Sequence, residues 1–155
     1  MPGQVDLEVY RQLRTSQDKY TYFLLAAAAS AVALAVNRTT GAPLSYWQAP
    51  LGLAVLSWGL SFYFGCRHIT YVNSNLYANA ELLRVQSGTH PKAGQNPQLI
   101  TAAVQGINEA IESNSEAAIR FGHWQFRLLV LGAILYIGWH VLEMVRTTLA
   151  TGGAA

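Results

Sequence analysis

Three long runs of apolar residues constrain this chain more than any other feature. They cover residues 20–36, 46–66 and 126–146, each about 17 to 21 residues long. A helix of about 20 apolar residues crosses the roughly 30 Å hydrocarbon core of a bilayer. A helix in a soluble core normally keeps one polar face, and the first two runs have almost none. The pattern predicts an all-α membrane protein with three transmembrane helices.

The small number of charged residues narrows the class of protein further. Charged residues make up 12% of the chain and its formal net charge is +2, whereas a typical soluble domain is about 25% charged. Such a small net charge favours no nucleic-acid partner. Cys66 is the single cysteine, so an internal disulfide is excluded. The N-terminal segment lacks the basic start and apolar core of a cleaved signal peptide, so we expect the first run to be retained.

The distribution of basic residues predicts an orientation. Most lie before the first run or between the second and third: Arg11, Arg14, Lys19, Arg67, Arg84, Lys92 and Arg120. The positive-inside rule therefore places residues 1–19 and 67–125 in the cytoplasm of a bacterium, with the protein in its inner membrane. The loop 37–45 and the tail 147–155 then face outward. We expect residues 1–19 to form a short amphipathic helix along the membrane surface.

The segment 67–125 is the largest polar part of the chain. A turn near 87–98, rich in Gly and Pro, divides it, and Pro97 and Asn96 suit the start of a second helix. Residues on both sides recur at helical spacing, which predicts a cytoplasmic antiparallel helical hairpin between the second and third transmembrane helices. The expected seam contains Ile69, Leu76, Leu83, Ile100, Ile107, Ile111 and Asn114.

Small residues predict where helices approach closely. Ala27, Ala31 and Ala35 follow four-residue spacing in the first run, and Gly52 and Gly59 share one face of the second. Small residues allow close helix contact in lipid. Because three helices make a thin bundle, we expect either a homo-oligomer or a second membrane protein as partner, in addition to the lipid bilayer.

The ionisable residues near the apolar runs leave alternatives open. His140 and Glu143 share a face near the outer end of the third run and are candidates for an ion path. Snorkelling, or pairing of Glu143 with Arg146, explains them as well. Cys66, His68 and His123 form a minority alternative, a metal site at the cytoplasmic interface. Polar residues also gather at this depth without binding metal.

No known catalytic motif is present, so we expect neither enzymatic activity nor a cofactor. The composition favours a self-assembling membrane protein that acts as a channel or a regulated pore-forming effector. The alternative is a non-catalytic accessory or scaffold subunit of a larger membrane complex. A third reading, a redox or metal-dependent membrane enzyme, depends on Cys66, His68 and His123.

Overall fold

The computed structural model describes residues 2–41, 45–92, 94 and 96–152. The fold is 92% helix, with no strand in the part of the chain that is described. Three α-helices follow one another: α1 (Pro2–Thr39), α2 (Ala49–Gln86) and α3 (Pro97–Gly152), with a 3-10 turn at Tyr46–Gln48 before α2. Each α-helix contains a stretch long and apolar enough to cross a membrane. The expectations of an all-α chain and of three such helices are confirmed.

The ends of α1 and α2 are set by glycines with positive φ. Gly41 follows α1 with φ of +79°, and Gly88 follows α2 with φ of +69°. After α2, the Gly88 N–H donates to the Val85 carbonyl and the Thr89 N–H donates to the Arg84 carbonyl, both at 3.1 Å. This pair of bonds is a Schellman motif, which needs a left-handed residue and therefore favours glycine.

The start of α3 follows the predicted cap. The Gln98 N–H donates to Asn96 Oδ1 at 3.0 Å, and the Ile100 N–H donates to the Asn96 carbonyl at 3.0 Å. Pro97 occupies the first helical position, where its missing N–H leaves no bond unmade. The predicted roles of Asn96 and Pro97 are confirmed. Part of the predicted turn, Ala93 and Gln95, lies outside the described residues.

Two helix boundaries differ from the expectation. Helix α1 begins at Pro2 and continues through Lys19 without interruption, so the N-terminal segment is the first half of α1 rather than a separate helix. No glycine or proline stands near residue 19 to end a helix there. Helix α3 extends to Gly152, beyond the expected limit at residue 146, because the intervening residues contain no helix breaker.

The chain divides into two compact units. The flanking unit comprises Met1–Gly65 and Trp124–Ala155, and the central unit comprises Cys66–His123. The core of the flanking unit is a cluster of Ala35, Leu51, Ala54 and Trp58. In the central unit the buried residues are Val85, Ala117 and Ala118.

Candidate functional site

A group of buried polar residues joins α2 to α3 in the flanking unit. The Trp58 indole N–H donates to the Leu129 carbonyl at 3.2 Å, and the Ser61 hydroxyl donates to the Gln125 carbonyl at 2.7 Å. Gln125 is 1% exposed, and its Nε2 has no hydrogen-bond partner in the described part of the chain. We call Trp58, Ser61 and Gln125 the polar seam.

Two glycines allow the helices of the flanking unit to approach at this seam. A Cβ atom added at Gly132 would lie 2.5 Å from Trp58 Nε1. A Cβ atom added at Gly65 would lie 2.5 Å from Gln125 Nε2 and 2.7 Å from Leu25 Cδ2. Real Cβ atoms do not tolerate such distances, so only glycine lets the Trp58 and Gln125 side chains occupy these places.

The central unit has its own polar contacts between α2 and α3. His68 Nδ1 lies 2.8 Å from the Ala118 carbonyl oxygen; a carbonyl only accepts, so Nδ1 carries the hydrogen. The Asn75 amide donates to Ser115 Oγ at 2.8 Å. Asn75 Oδ1 is buried without a partner among the described residues. These contacts fix which residues of the two helices face each other in this unit.

An arginine stacked on two aromatic rings is the most organised charged group of the central unit. The Arg67 guanidinium carbon lies 5.1 Å from the centre of the Tyr71 ring and 5.7 Å from that of Phe121. The two rings stack at 5.4 Å with an angle of 11° between their planes. Arg67 Nη2 also donates to the Tyr71 hydroxyl oxygen at 2.9 Å. We call Arg67, Tyr71 and Phe121 the arginine–aromatic cluster.

The small residues predicted in α1 differ in where they lie. Ala35 is buried and Ala31 packs against the core of the flanking unit. Ala27 is only half-buried, and Ala28 is fully buried in its place. The buried face of α1 also contains Thr21 and Leu24, so it follows alternating steps of three and four residues. A strict four-residue spacing drifts away from that face.

The glycines predicted to pack within α2 do not contact the rest of the chain. A Cβ atom added at Gly52 or Gly59 would meet nothing within 4 Å. The α2 face that points inward carries Leu51, Ala54 and Trp58 instead. The open face around Gly52 and Gly59 is therefore available to a neighbouring molecule.

The residues predicted for the seam of the central unit differ in their burial. Five of its residues are half-buried: Ile69, Ile100, Ile107, Ile111 and Asn114. Leu76 and Leu83, in contrast, are 43% and 67% exposed. The inward position next to Leu76 is taken by Asn75, whose contact with Ser115 is polar. Leu76 and Leu83 were assigned to the seam by their apolarity, and the more exposed position of both shows that the assignment does not suit this part of α2.

The candidate ion-path residues lie at the surface of α3. His140 is exposed and Glu143 is half-buried. The predicted pairing of Glu143 is confirmed, because Arg146 Nη2 lies 2.6 Å from Glu143 Oε1. The charge of Glu143 is therefore balanced within its own helix. Of the two candidate residues, His140 is the one that a neighbouring molecule could reach.

The three residues of the minority metal site are not gathered into a ligand set. Cys66 and His123 are exposed, and His68 Nδ1 is engaged by the Ala118 carbonyl. Within the described residues, no group of three or more His, Cys, Asp or Glu side chains could hold a metal ion. The described geometry therefore lends no support to the metal-dependent enzyme reading.

Sequence reasoning missed the polar seam and the arginine–aromatic cluster. Ser61, His68 and Asn75 stand seven residues apart along α2, a spacing that keeps polar groups on one helical face and was available as a signal. Arg67 and Tyr71 are four residues apart, which also predicts contact. Phe121 lies far away in the chain, so no local pattern could have joined it to them.

Comparison with other proteins adds no family or structural relative: no family model, curated protein or solved structure significantly matches this chain. The class of protein is therefore defined by its own fold. It is an all-helical chain whose three helices are long and apolar enough to cross a membrane.

Proposed function

We propose that this chain is a multi-pass membrane protein whose three apolar helices are inserted in a bacterial inner membrane. The observation that carries the proposal is how little of the apolar surface the chain covers by itself. Only 6% of the most apolar stretch of α3 is buried within the chain. Large apolar side chains such as Leu56, Ile134 and Ile137 point away from the core. Lipid tails satisfy such a surface, whereas water does not.

The orientation and the hairpin belong to the same proposal. The excess of Lys and Arg in residues 1–19 and 67–125 favours a cytoplasmic position for both. An antiparallel hairpin of α2 and α3 in the central unit is supported by the His68–Ala118 and Asn75–Ser115 contacts. In that pairing, a later residue of α2 meets an earlier residue of α3, as antiparallel helices require.

Self-assembly is supported by the open face of α2. Gly52 and Gly59 share a helical face with Leu56, and nothing in the chain comes within 4 Å of a Cβ atom added at either glycine. Glycines at a helix surface allow two helices in lipid to approach closely and to gain van der Waals contact. We assign this face to a second copy of the chain.

The assembled form acts as a channel or a regulated pore-forming effector in this proposal. The interior of one flanking unit is filled by side chains such as Leu51, Trp58 and Gln125, so in this proposal a conducting path lies between copies rather than within one. The exposed position of His140 supports a place for it on such a path. Glu143 and Arg146, already paired with each other, would flank the path.

Mass measurement in mild detergent tests the assembly. The wild-type chain is expected to run as a defined oligomer. The double substitution Gly52→Leu and Gly59→Leu should give a folded monomer, because a single copy has room for both side chains. Gly138→Leu is the matched control, since it also adds a side chain into open space on an apolar stretch. A monomeric wild type, or an unchanged oligomer in the double variant, contradicts the proposed interface.

Ion flux into liposomes then separates the channel from the second candidate function. The accessory or scaffold reading is favoured by one observation: the exposed large side chains near the middle of the α3 apolar stretch, such as Leu131, Ile134 and Ile137, are apolar. Flux that His140→Ala changes supports the channel. An oligomer that conducts nothing and copurifies from native membranes with a stoichiometric second protein supports the scaffold.

A further inference from the structure

The arginine–aromatic cluster joins α2 to α3, and its arginine has no carboxylate partner among the described residues. Arg67 makes no ion pair within the described part of the chain, although its guanidinium is half-buried and held by two rings. Arg84 and Arg146 differ, since each pairs with a carboxylate of its own helix at 2.8 and 2.6 Å. A guanidinium that is held in place but lacks an anionic partner is prepared for an anion from outside the chain.

The geometry of the cluster leaves hydrogen-bond donors available. The two rings lie near the guanidinium and one of its nitrogens is bonded to Tyr71, while a guanidinium carries further N–H donors. Arg67 Nη2 donates to the Tyr71 hydroxyl oxygen, so the hydroxyl hydrogen of Tyr71 remains free to donate. No acceptor for it lies among the described residues. Arg67 and Tyr71 together therefore offer donors that suit the oxygens of a phosphate group.

The position of Arg67 in the chain indicates where that phosphate comes from. Arg67 directly follows the apolar run of α2, which ends at Cys66, and lies about one turn after the exposed aromatic side chains of Phe62 and Tyr63. Aromatic residues of this kind lie at the headgroup level of a bilayer. With the proposed membrane insertion, on which this inference rests, the guanidinium lies at the depth of lipid phosphates on the cytoplasmic side.

We propose that Arg67, stacked on Tyr71 and Phe121, binds the phosphate of an anionic phospholipid headgroup. The chemistry it recognises is a phosphate oxygen pair, which a free phosphate ion also presents. Arg120 and His123 are exposed neighbours of Phe121 in sequence. The charge of Arg120 adds to the attraction of an anionic headgroup over a neutral zwitterionic one.

Native mass spectrometry of the full chain in detergent, titrated with short-chain phosphatidylglycerol, tests the site. Short-chain phosphatidylcholine and inorganic phosphate form the two comparison titrations. Phosphatidylglycerol is expected to bind the wild type in preference to phosphatidylcholine. Arg67→Gln should weaken this binding about tenfold, the usual scale for losing a charge-assisted hydrogen bond. Arg67→Lys should restore only part of it, because an ammonium lacks the guanidinium fork.

Arg84→Gln is the matched control, because it removes the same charge from the same helix at a residue already paired with Glu81. It should change the affinity less than about twofold. Tyr71→Phe keeps both rings and removes the hydroxyl, so a selective loss in this variant serves as the test should Arg67→Gln unfold. Inorganic phosphate that competes with phosphatidylglycerol supports the same site. Inorganic phosphate that binds while the lipid does not keeps the phosphate chemistry but overturns the lipid source.

Equal binding by wild type, Arg67→Gln and Tyr71→Phe overturns the proposal, as does an equal loss in Arg84→Gln. The readout is independent of the proposed assembly. If the protein is a monomer that binds phosphatidylglycerol through Arg67, the proposed assembly is wrong and this inference stands. If it is an oligomer that conducts ions and its lipid binding is unchanged by the Arg67 substitution, the assembly stands and this inference is wrong.

Discussion

In the flanking unit the buried residues include polar ones beside the apolar core: Thr21, Ser57, Ser61 and Gln125. Among the described residues of the central unit, the buried side chains are Val85, Ala117 and Ala118. The exposed surface of the flanking unit presents many large apolar side chains, whereas the central unit has the larger share of charged residues. Apolar side chains such as Ile134 cover the flanking unit. The outer face of α3 in the central unit presents a row of glutamates: Glu109, Glu112 and Glu116. One chain thus contains two packing patterns.

Under the proposed membrane insertion, the two units lie in different surroundings, and their different packing follows from this. In water, burial of apolar groups drives packing, and polar groups remain outside. In lipid, helices gain little from burying apolar groups and associate through small residues and interhelical hydrogen bonds. Gly132 and the Ser61–Gln125 bond serve the second pattern. The exposed leucines Leu76 and Leu83 show that the central unit follows the first pattern incompletely.

The largest expected effect comes from placing the same charge on each surface. Ile134 and Leu83 are 61% and 67% exposed, so neither substitution disturbs a core. Ile134→Arg should disfavour insertion of α3 by about 3 to 4 kcal/mol, because its site lies in the middle of the apolar stretch. Leu83→Arg should leave insertion unchanged. The fraction of protein that resists carbonate extraction from membranes measures the insertion of each variant. Equal insertion of the two variants would contradict the proposed difference between the two surfaces.

A methyl group at a glycine of α3 tests the close packing of the flanking unit. Gly132→Ala brings a Cβ atom against the Trp58 indole and should destabilise the fold by about 1 to 3 kcal/mol. Gly138→Ala has open space and should be neutral or stabilising by up to about 1 kcal/mol, because alanine favours helix. Unfolding of both variants in detergent gives the two values. Equal stability would show that Trp58 does not occupy this contact.

Removing one hydroxyl from each unit compares a hydrogen bond between helices with one inside a helix. Ser61 donates to α3 at 2.7 Å, whereas Ser74 donates to the Thr70 carbonyl of its own helix at 3.0 Å. Ser61→Ala should cost about 0.6 to 1.7 kcal/mol, and Ser74→Ala less than about 0.5 kcal/mol. The same unfolding assay decides between them, and a larger loss for Ser74→Ala contradicts the account.

The smallest effect is expected at a surface ion pair of the central unit. Arg84→Gln breaks the contact with Glu81, three residues away on α2. Exposed pairs at this spacing contribute about 0.2 to 0.5 kcal/mol, and salt should reduce the contribution further. Comparing unfolding of the variant and wild type at low and high salt measures it. If the free energy of unfolding falls by more than about 1 kcal/mol, the pair contributes more to stability than an exposed ion pair should, which would contradict this prediction.

The three long helices and several of their ends could be predicted from the sequence because the causes are local. Long apolar runs, the Asn96 cap, the Pro97 start and the glycine after α2 each act within a few residues. Pairing of Glu143 with Arg146 is local for the same reason. Such features need no knowledge of what packs against the helix.

The inward faces were harder to predict because they depend on the partner helix. Leu76 was chosen for the seam by its apolarity, yet Asn75 takes the contact because Ser115 stands opposite. Gly52 and Gly59 were chosen as packing glycines and meet nothing within their own chain, whereas Gly132, which was not chosen, meets Trp58. In both units, therefore, apolarity alone does not identify the side chain that faces the partner helix.

Spin-label accessibility tests the central claim, that the apolar surface of the flanking unit faces lipid while the central unit faces water. Labels at Ile134→Cys and Leu83→Cys, in a Cys66→Ser background, occupy two positions of nearly equal exposure. In liposomes the label at position 134 should collide more with oxygen, which concentrates in lipid, than with a water-soluble nickel chelate. The label at position 83 should show the reverse. Greater access of the nickel chelate at position 134 would contradict the account.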